Sequence, residues 1–326
     1  MTCRERFINT MSFKSVDRLP MIEWVDWWDK TILRWKEEGL PKNIDDAFEI
    51  REYFGLDRYR QCRIRPTKST FPKVEYGKGI VFDMNSYKNI KKHLFLDYPF
   101  DEKLIEKWSV QQKQGNMVVQ ITLDGFFWFP RTLFGIEEHL YAFYDMPQVM
   151  HKINNDLLEY NLQVLDKFCN ICTSDFVTFA EDMSYNHGPM ISKKIFSEFI
   201  APYYRKIIQK LKEKNIFIFI DSDGNIDDLI PWFLEIGIDG FLPLERQAGE
   251  DIVKLRKLYP KIRLIGGYNK TVMCKGENAM RNEFEQIFPA MKQGGYIPSV
   301  DHQTPPDVSF ENYKIYLRLL KEYCGR

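Results

Sequence analysis

The sequence predicts an α/β protein: one (β/α)8 TIM-type barrel over residues 1–326, carrying a small β-hairpin insertion. Three observations predict it. Apolar runs alternate with helical patterns, and the strand candidates total about eight, the number that closes a parallel barrel. No repeat, low-complexity tract or Pro/Gly-rich linker divides the 326 residues. Several strand candidates end in acidic residues, as expected where a barrel gathers its chemistry at one mouth. A doubly wound open sheet shares the alternation, but the strand count favours the barrel.

Residues 3–12 carry a short helical pattern, and VDRLP turns the chain into an apolar segment, 21–25, read as the first strand. Residues 29–38 and 43–54 are helical. From 59 to 84 short alternating stretches, with Gly77 and Gly79 at a turn, read as the hairpin insertion. A charged helix over 101–114 precedes the strand MVVQITLDG (117–125) and an aromatic loop, FFWFP (126–130). Unbroken periodicity predicts one long helix over 147–172. DFVTFAED (175–182) is the next strand, and 191–214 a second long helix. Thereafter helices near 225–236, 250–258, 277–291 and 308–323 alternate with the strands IDGFLPLE, IRLIGG and GGYIPSV.

The centre of this arrangement is NIFIFIDSDG, 215–224. An unbroken Ile/Phe run ending in a turn reads as a strand buried on both faces. Side chains alternate along a strand, so Asp221 and Asp223 point the same way. Adjacent carboxylates repel unless a metal, a basic side chain or a shared proton lies between them.

Lys+Arg and Asp+Glu both number 46, so no net field favours nucleic acid or an anionic membrane. No apolar run approaches a membrane span, and the N-terminus lacks a signal-peptide pattern. Six scattered cysteines fit a reduced, cytoplasmic protein rather than a disulfide scaffold. Cys169-x-x-Cys172 lacks a second pair and a redox context, and reads as helix packing.

Polar groups sit at the ends of the strand candidates: Glu23, Asp124, Glu181, Asp221, Asp223, Glu245 and Asp301-His302. Asp221, Asp223 and His302 supply three ligands of the kind Zn²⁺ accepts, with an open position left for water or substrate. Each has a plainer reading. Asp223 precedes a helix start and suits a cap, and a histidine before Pro305-Pro306 suits a structural turn. His187, in YNHGP, is a second candidate at the mouth, or simply a loop histidine. Trp24, Trp27 and Trp28 wall a pocket or fill core. GGYNK (266–270), after the seventh strand, reads as a phosphate-binding loop or, more simply, a tight turn, with Lys270 available to a carboxylate at the mouth.

The segments RERFINTMSFKSVDRLP, EDMSYNHGPMISKKIFSEFIAPYYRKI, DSDGN, LIGGYNK and GGYIPSVDHQTPPDVSFENY resemble the uroporphyrinogen decarboxylase superfamily across nearly the whole chain. The resemblance implies a single (β/α)8 barrel with a cleft at its C-terminal mouth. Its decarboxylases carry an arginine-rich segment just after the first strand; here that place reads EWVDWWDK, which implies that a polycarboxylate is repelled. The other branch resembles methylcobamide:coenzyme M methyltransferases, zinc enzymes with a His-x-Cys pair after the fifth strand and a Cys after the last. Those positions match Asp221, Asp223 and His302, all ligand types but none the family's own. The set is harder than one with thiolates and suits an oxygen ligand, with Zn²⁺ still acceptable.

The resemblance thus implies a methyltransferase that holds a divalent metal, Zn²⁺ by the family pattern. It would move a methyl group between a small methylated substrate, such as an aryl methyl ether or methylamine, and a corrinoid. The corrinoid would come from a separate corrinoid-binding protein. Glu181 is expected as a fourth ligand or acid and His187 as a second catalytic group, with Trp24, Trp27, Phe126, Trp128, Tyr185 and Glu245 facing the substrate. The alternatives are a metal-free decarboxylase or lyase of the same fold and a non-catalytic small-molecule-binding barrel.

Overall fold

A computed structural model describes residues 1–326. Seven strands form one curled parallel sheet: β1 (Tyr59–Arg63), β2 (Val118–Asp124), β3 (Phe176–Ala180), β6 (Phe217–Asp221), β7 (Gly240–Leu242), β8 (Arg263–Tyr268) and β9 (Tyr296–Val300), neighbours in that order. β4 (Ser184–Tyr185) and β5 (Gly188–Pro189) make a separate antiparallel pair above β3. β2 is VVQITLD, buried throughout, and β6 is FIFID; such β-branched and aromatic runs suit strands covered on both faces. The register sets Asp124, Ala180, Asp221 and Leu242 level across four strands.

Segment 21–25, expected as the first strand, takes the eighth place without forming a ladder. On one edge Asp57 N donates to Met21 O at 2.9 Å. On the other, Trp24 Nε1 donates to Val300 O at 2.8 Å, and the Glu23 carboxylate accepts from Ser299 Oγ (2.7 Å) and Val300 N (3.3 Å). A side-chain carboxylate thus takes an N–H that a strand carbonyl would otherwise accept. Towards β1 the seam is filled by Arg51, whose Nε donates to Glu23 O at 3.3 Å.

Inside the ring lies a self-contained apolar layer: Ile22, Trp24, Tyr59, Val118, Phe176, Phe219, Leu242, Ile265 and Ile297, contributed by all eight staves. Phe7 and Met11 of helix Cys3–Met11 close its lower end, with Phe7 stacked on the first residue of β3 at 5.1 Å. A larger core fills the space between the sheet and the surrounding helices.

The expected hairpin over 59–84 does not form. Tyr59–Arg63 is a barrel strand paired with β2, and the chain beyond it docks elsewhere. Lys78 bridges to Gly135, and Ile80 N and Val81 N both donate to Leu133 O. A Cβ on Gly79 would lie 1.9 Å from Phe134 O, so this glycine serves close backbone approach rather than a turn. The helix expected over 147–172 appears as Pro147–Ile171. That expected over 191–214 divides into Lys193–Phe199 and Ala201–Glu213, because Pro202 has no N–H and starts a new helix. All six cysteines are free, and no helix is long and apolar enough to cross a membrane.

Candidate active site

Tyr59, a member of the interior layer, sets the inward phase of β1, and Gln61 and Arg63 follow at the same phase. The phase of Val118 likewise turns Gln120, Thr122 and Asp124 inward, and that of Phe219 turns Asp221 inward. A polar layer follows above the apolar one: Gln61 Nε2 donates to Thr122 Oγ1 at 2.7 Å, and Gln120 Nε2 to Thr178 Oγ1 at 2.5 Å. Acidic residues come next, at the mouth.

Two groups of ligand-bearing side chains meet there, sharing Asp223. The donor atoms of Asp223, Glu245 and His302 lie within 4.8 Å of one another, as do those of Asp182, Asp221 and Asp223. Asp221 and His302, expected in one triad, therefore fall in different groups. Glu245, expected to face substrate, stands instead with Asp223 and His302. His302 Nε2 is 3.7 Å from Asp223 Oδ2. Two ligands on a tetrahedral ion with bonds of ~2.1 Å stand roughly 3.4 Å apart, so oxygen and imidazole donors at this spacing fit a divalent cation.

The loops that carry these groups are tied together by a buried carboxylate. Asp301 accepts from Arg246 N (3.0 Å) and Lys270 N (3.1 Å), fixing the residues next to Glu245 and the Lys270 backbone itself. Glu245 Oε2 accepts from Gly224 N at 3.0 Å, which holds it beside Asp223, and Glu245 Oε1 lies 3.6 Å from Lys270 Nζ. Asp182 Oδ1 accepts from Asp223 N at 3.3 Å. Asp182 (φ +39°) and Leu244 (φ +66°) both adopt the left-handed region, where non-glycine residues are strained, and both flank the mouth.

The electrostatics follow from the crowding. Burial, then Asp182 and Glu245, push the Asp223 carboxyl up to about 7, against the pull of Lys270. Burial, then Asp182 and Asp223, raise Asp221 well above the ordinary range, opposed by Arg63. Burial lifts Asp124 to about 6, opposed by Arg63 and Arg65. His302 is lowered, by burial first and Lys270 second. No side-chain hydrogen bond reaches the Asp221 carboxylate; Arg63 and Lys270 oppose the crowding of acids only through space.

Glu181, expected as a fourth ligand or acid, has another task. Its carboxylate is fully buried and accepts from Phe126 N (2.9 Å), Phe127 N (2.8 Å), Trp128 N (3.0 Å) and the Tyr204 hydroxyl. Both oxygens are thereby committed to the turn that opens helix Trp128–Phe134. A Cβ on Gly125 would sit 2.2 Å from the Glu181 carboxyl carbon, so only glycine admits this approach. Burial raises Glu181 to about 7, opposed first by the Tyr204 hydrogen bond.

Most of the expected aromatic pocket is core. Trp24 is buried against Val300; Trp27 packs on Trp35, Phe54 and Tyr313; Phe126 packs on Tyr203 and Tyr204. Trp128 remains half-buried, and Tyr185 and His187 are exposed in the β4–β5 pair, their rings 5.7 Å apart. His187 belongs to neither ligand group.

Although EWVDWWDK carries no arginine, the mouth is not without it. Arg63 Nη2 approaches Asp124 Oδ1 at 4.0 Å, and Arg131 Nη1 donates to Asp182 O at 3.3 Å while stacking over Trp128. Alternation along 59–63 would have placed Arg63 here had that stretch been read as a barrel strand. Arg131 follows an aromatic loop and has no comparable sequence signal.

The uroporphyrinogen decarboxylase (URO-D) family model matches residues 131–323, more than half of the chain. The uroporphyrinogen decarboxylase of Campylobacter jejuni is 26% identical over 279 residues, 78% of this chain and 76% of that protein. That of Nautilia profundicola is 25% identical over 272 residues, 78% and 75% of the two chains. Among solved structures, a methyltransferase from Methanosarcina mazei superposes with a TM-score of 0.68 over 99% of each chain at 13% identity, a likeness of fold.

Proposed function

The chain belongs to the uroporphyrinogen decarboxylase family, and from that premise we propose that it is a metal-dependent methyltransferase acting between a small methylated substrate and a corrinoid protein. The observation that supports this reading most is the pair of oxygen- and nitrogen-donor groups joined at Asp223, partly accessible and with acids outnumbering the cations that face them. A divalent ion bound there would supply Lewis acidity towards the heteroatom that carries or receives the methyl group.

The chain's own residues do the rest. Asp223, Glu245 and His302 would hold the ion, and Asp221 and Asp182 would set the charge behind it. Asp301 keeps the Glu245 and Lys270 loops in register. Trp128 and Tyr185, the expected aromatic groups that stay accessible, face the incoming substrate, and Arg63 and Arg131 hold its polar end. The corrinoid protein docks over the same mouth.

Metal analysis of purified protein tests this directly. About one equivalent of zinc or another divalent ion is expected, lost in Asp223→Asn and His302→Ala. Wild-type protein that stays metal-free after incubation with zinc ends the reading. Methyl transfer to free cob(I)alamin across methoxylated compounds and methylamines then tests the activity.

A second reading has one specific observation in its favour. Arg63, Arg65 and Arg131 give the mouth cations suited to a substrate carboxylate, and Asp223 near neutrality suits proton transfer. This is a decarboxylase, the activity named for the Campylobacter relative. Carbon dioxide release by chelator-treated enzyme distinguishes it from the first.

A further inference from the structure

Lys270 is the one side-chain cation within ion-pair distance of the Asp223–Glu245–His302 group. Its position is built rather than incidental. Its backbone N–H is held by Asp301, the same carboxylate that holds Arg246 N beside Glu245. Its ammonium stands 3.6 Å from Glu245 Oε1, while Glu245 Oε2 is pinned by Gly224 N. Glu245 therefore presents one free oxygen, and Lys270 faces it. The Lys270 side chain is only 16% exposed, so solvent screens the pair weakly.

We propose that Lys270 is a resident counter-cation that competes with the metal for this group: ammonium and divalent ion are alternative occupants of the same electrostatic position. The proposal rests on the metal-dependent reading above and adds a residue to it. The charge argument is simple. A divalent ion bound by Glu245 Oε1 brings two positive charges within a few ångströms of the ammonium, and that repulsion opposes binding unless the lysine swings away. The four-carbon stem of lysine permits such a swing, as the planar fork of arginine in a bidentate pair does not. Metal loading then releases an ammonium into the mouth, free to meet an anionic group of the substrate.

The test uses the full chain, stripped with chelator and titrated with zinc against a chromophoric competitor. Lys270→Met is expected to bind zinc about tenfold tighter or more than wild type, with Lys270→Arg no tighter than wild type and weaker where the guanidinium stays paired with Glu245. Lys270→Gln repeats the measurement if the methionine variant folds poorly. In wild type, acylation of Lys270 followed by peptide mass mapping is expected to rise several-fold when zinc is added. Unchanged or weaker zinc binding in both neutral variants overturns the proposal, as does acylation indifferent to zinc. Wild type and variants that all fail to bind zinc, cobalt or manganese overturn the metal-dependent reading as well, so the two failures are distinguishable.

Discussion

Glu181 and Asp223 both lie just beyond the C-terminal ends of neighbouring strands, and both carboxyls are raised to about 7 by burial. Their surroundings are otherwise opposite. Glu181 meets three backbone N–H groups and a tyrosine hydroxyl, all donors that welcome its charge. Asp223 meets Asp182, Asp221 and Glu245, all acceptors, with Lys270 and His302 as the only relief. Donors around a buried carboxylate make it part of the scaffold; acceptors around it leave a repulsion that a proton, a basic side chain or a cation relieves. At this mouth, the company a carboxylate keeps separates satisfied from unsatisfied acids better than its position does.

That contrast breaks first at Glu181. Glu181→Ala orphans three amides and the Tyr204 hydroxyl in a dry site, and is expected to cost at least ~3 kcal/mol in urea or guanidinium unfolding. A loss below ~1 kcal/mol would show that these donors find other partners. The metal comes next. With zinc at a hundredfold excess over its Kd, wild type should gain ~2.7 kcal/mol of stability, reversed by chelator. His302→Ala should gain far less, and an equal gain would place the ion elsewhere. Tyr204→Phe removes one of Glu181's four donors and should cost ~1–2 kcal/mol, with metal affinity unchanged.

The smallest effect, damped because the Asp223 side chain is 43% exposed and screened by solvent, and the sharpest in sign, is on pH. The folded Asp223 carboxyl sits near 7, above its ordinary value of 3.8, so the folded chain holds a proton that the unfolded chain releases. Its contribution is fully present below about pH 3.8 and is lost as pH rises towards 7. Asp223→Asn should flatten that decline in metal-free protein, measured as the difference in unfolding midpoint between pH 5 and 7. A steeper decline in the variant would contradict the crowding at the mouth.

Legibility in the sequence followed the range of the interactions. Apolar runs such as VVQITLD and FIFID, and the helical periodicity of 147–172, report local geometry, and each element appeared near its expected place. Segment 21–25 was legible as apolar and in position, but not as a stave without a ladder. The carboxylate that displaces its pairing bonds to residues 276 positions away. The alternation of 59–63 was also legible; its partner was not, because Gly79 looks the same whether it makes a turn or admits the backbone of Phe134.

The site divides along the same line. By itself the sequence determined that acids end the central strands, since strand alternation and the run-to-turn boundary are local properties of Asp221 and Asp223. It also carried the family, through motifs spread along the chain. Only the tertiary structure decided which acids face one another and which are already satisfied. It withdrew Glu181 into a nest of donors, drew Glu245 and Asp182 towards Asp223, buried Trp24, Trp27 and Phe126, and brought Arg63 and Lys270 to the mouth. The reason is physical: hydrogen-bond satisfaction and charge balance are sums over neighbours in space, and those neighbours arrive from strands and loops far apart in the chain.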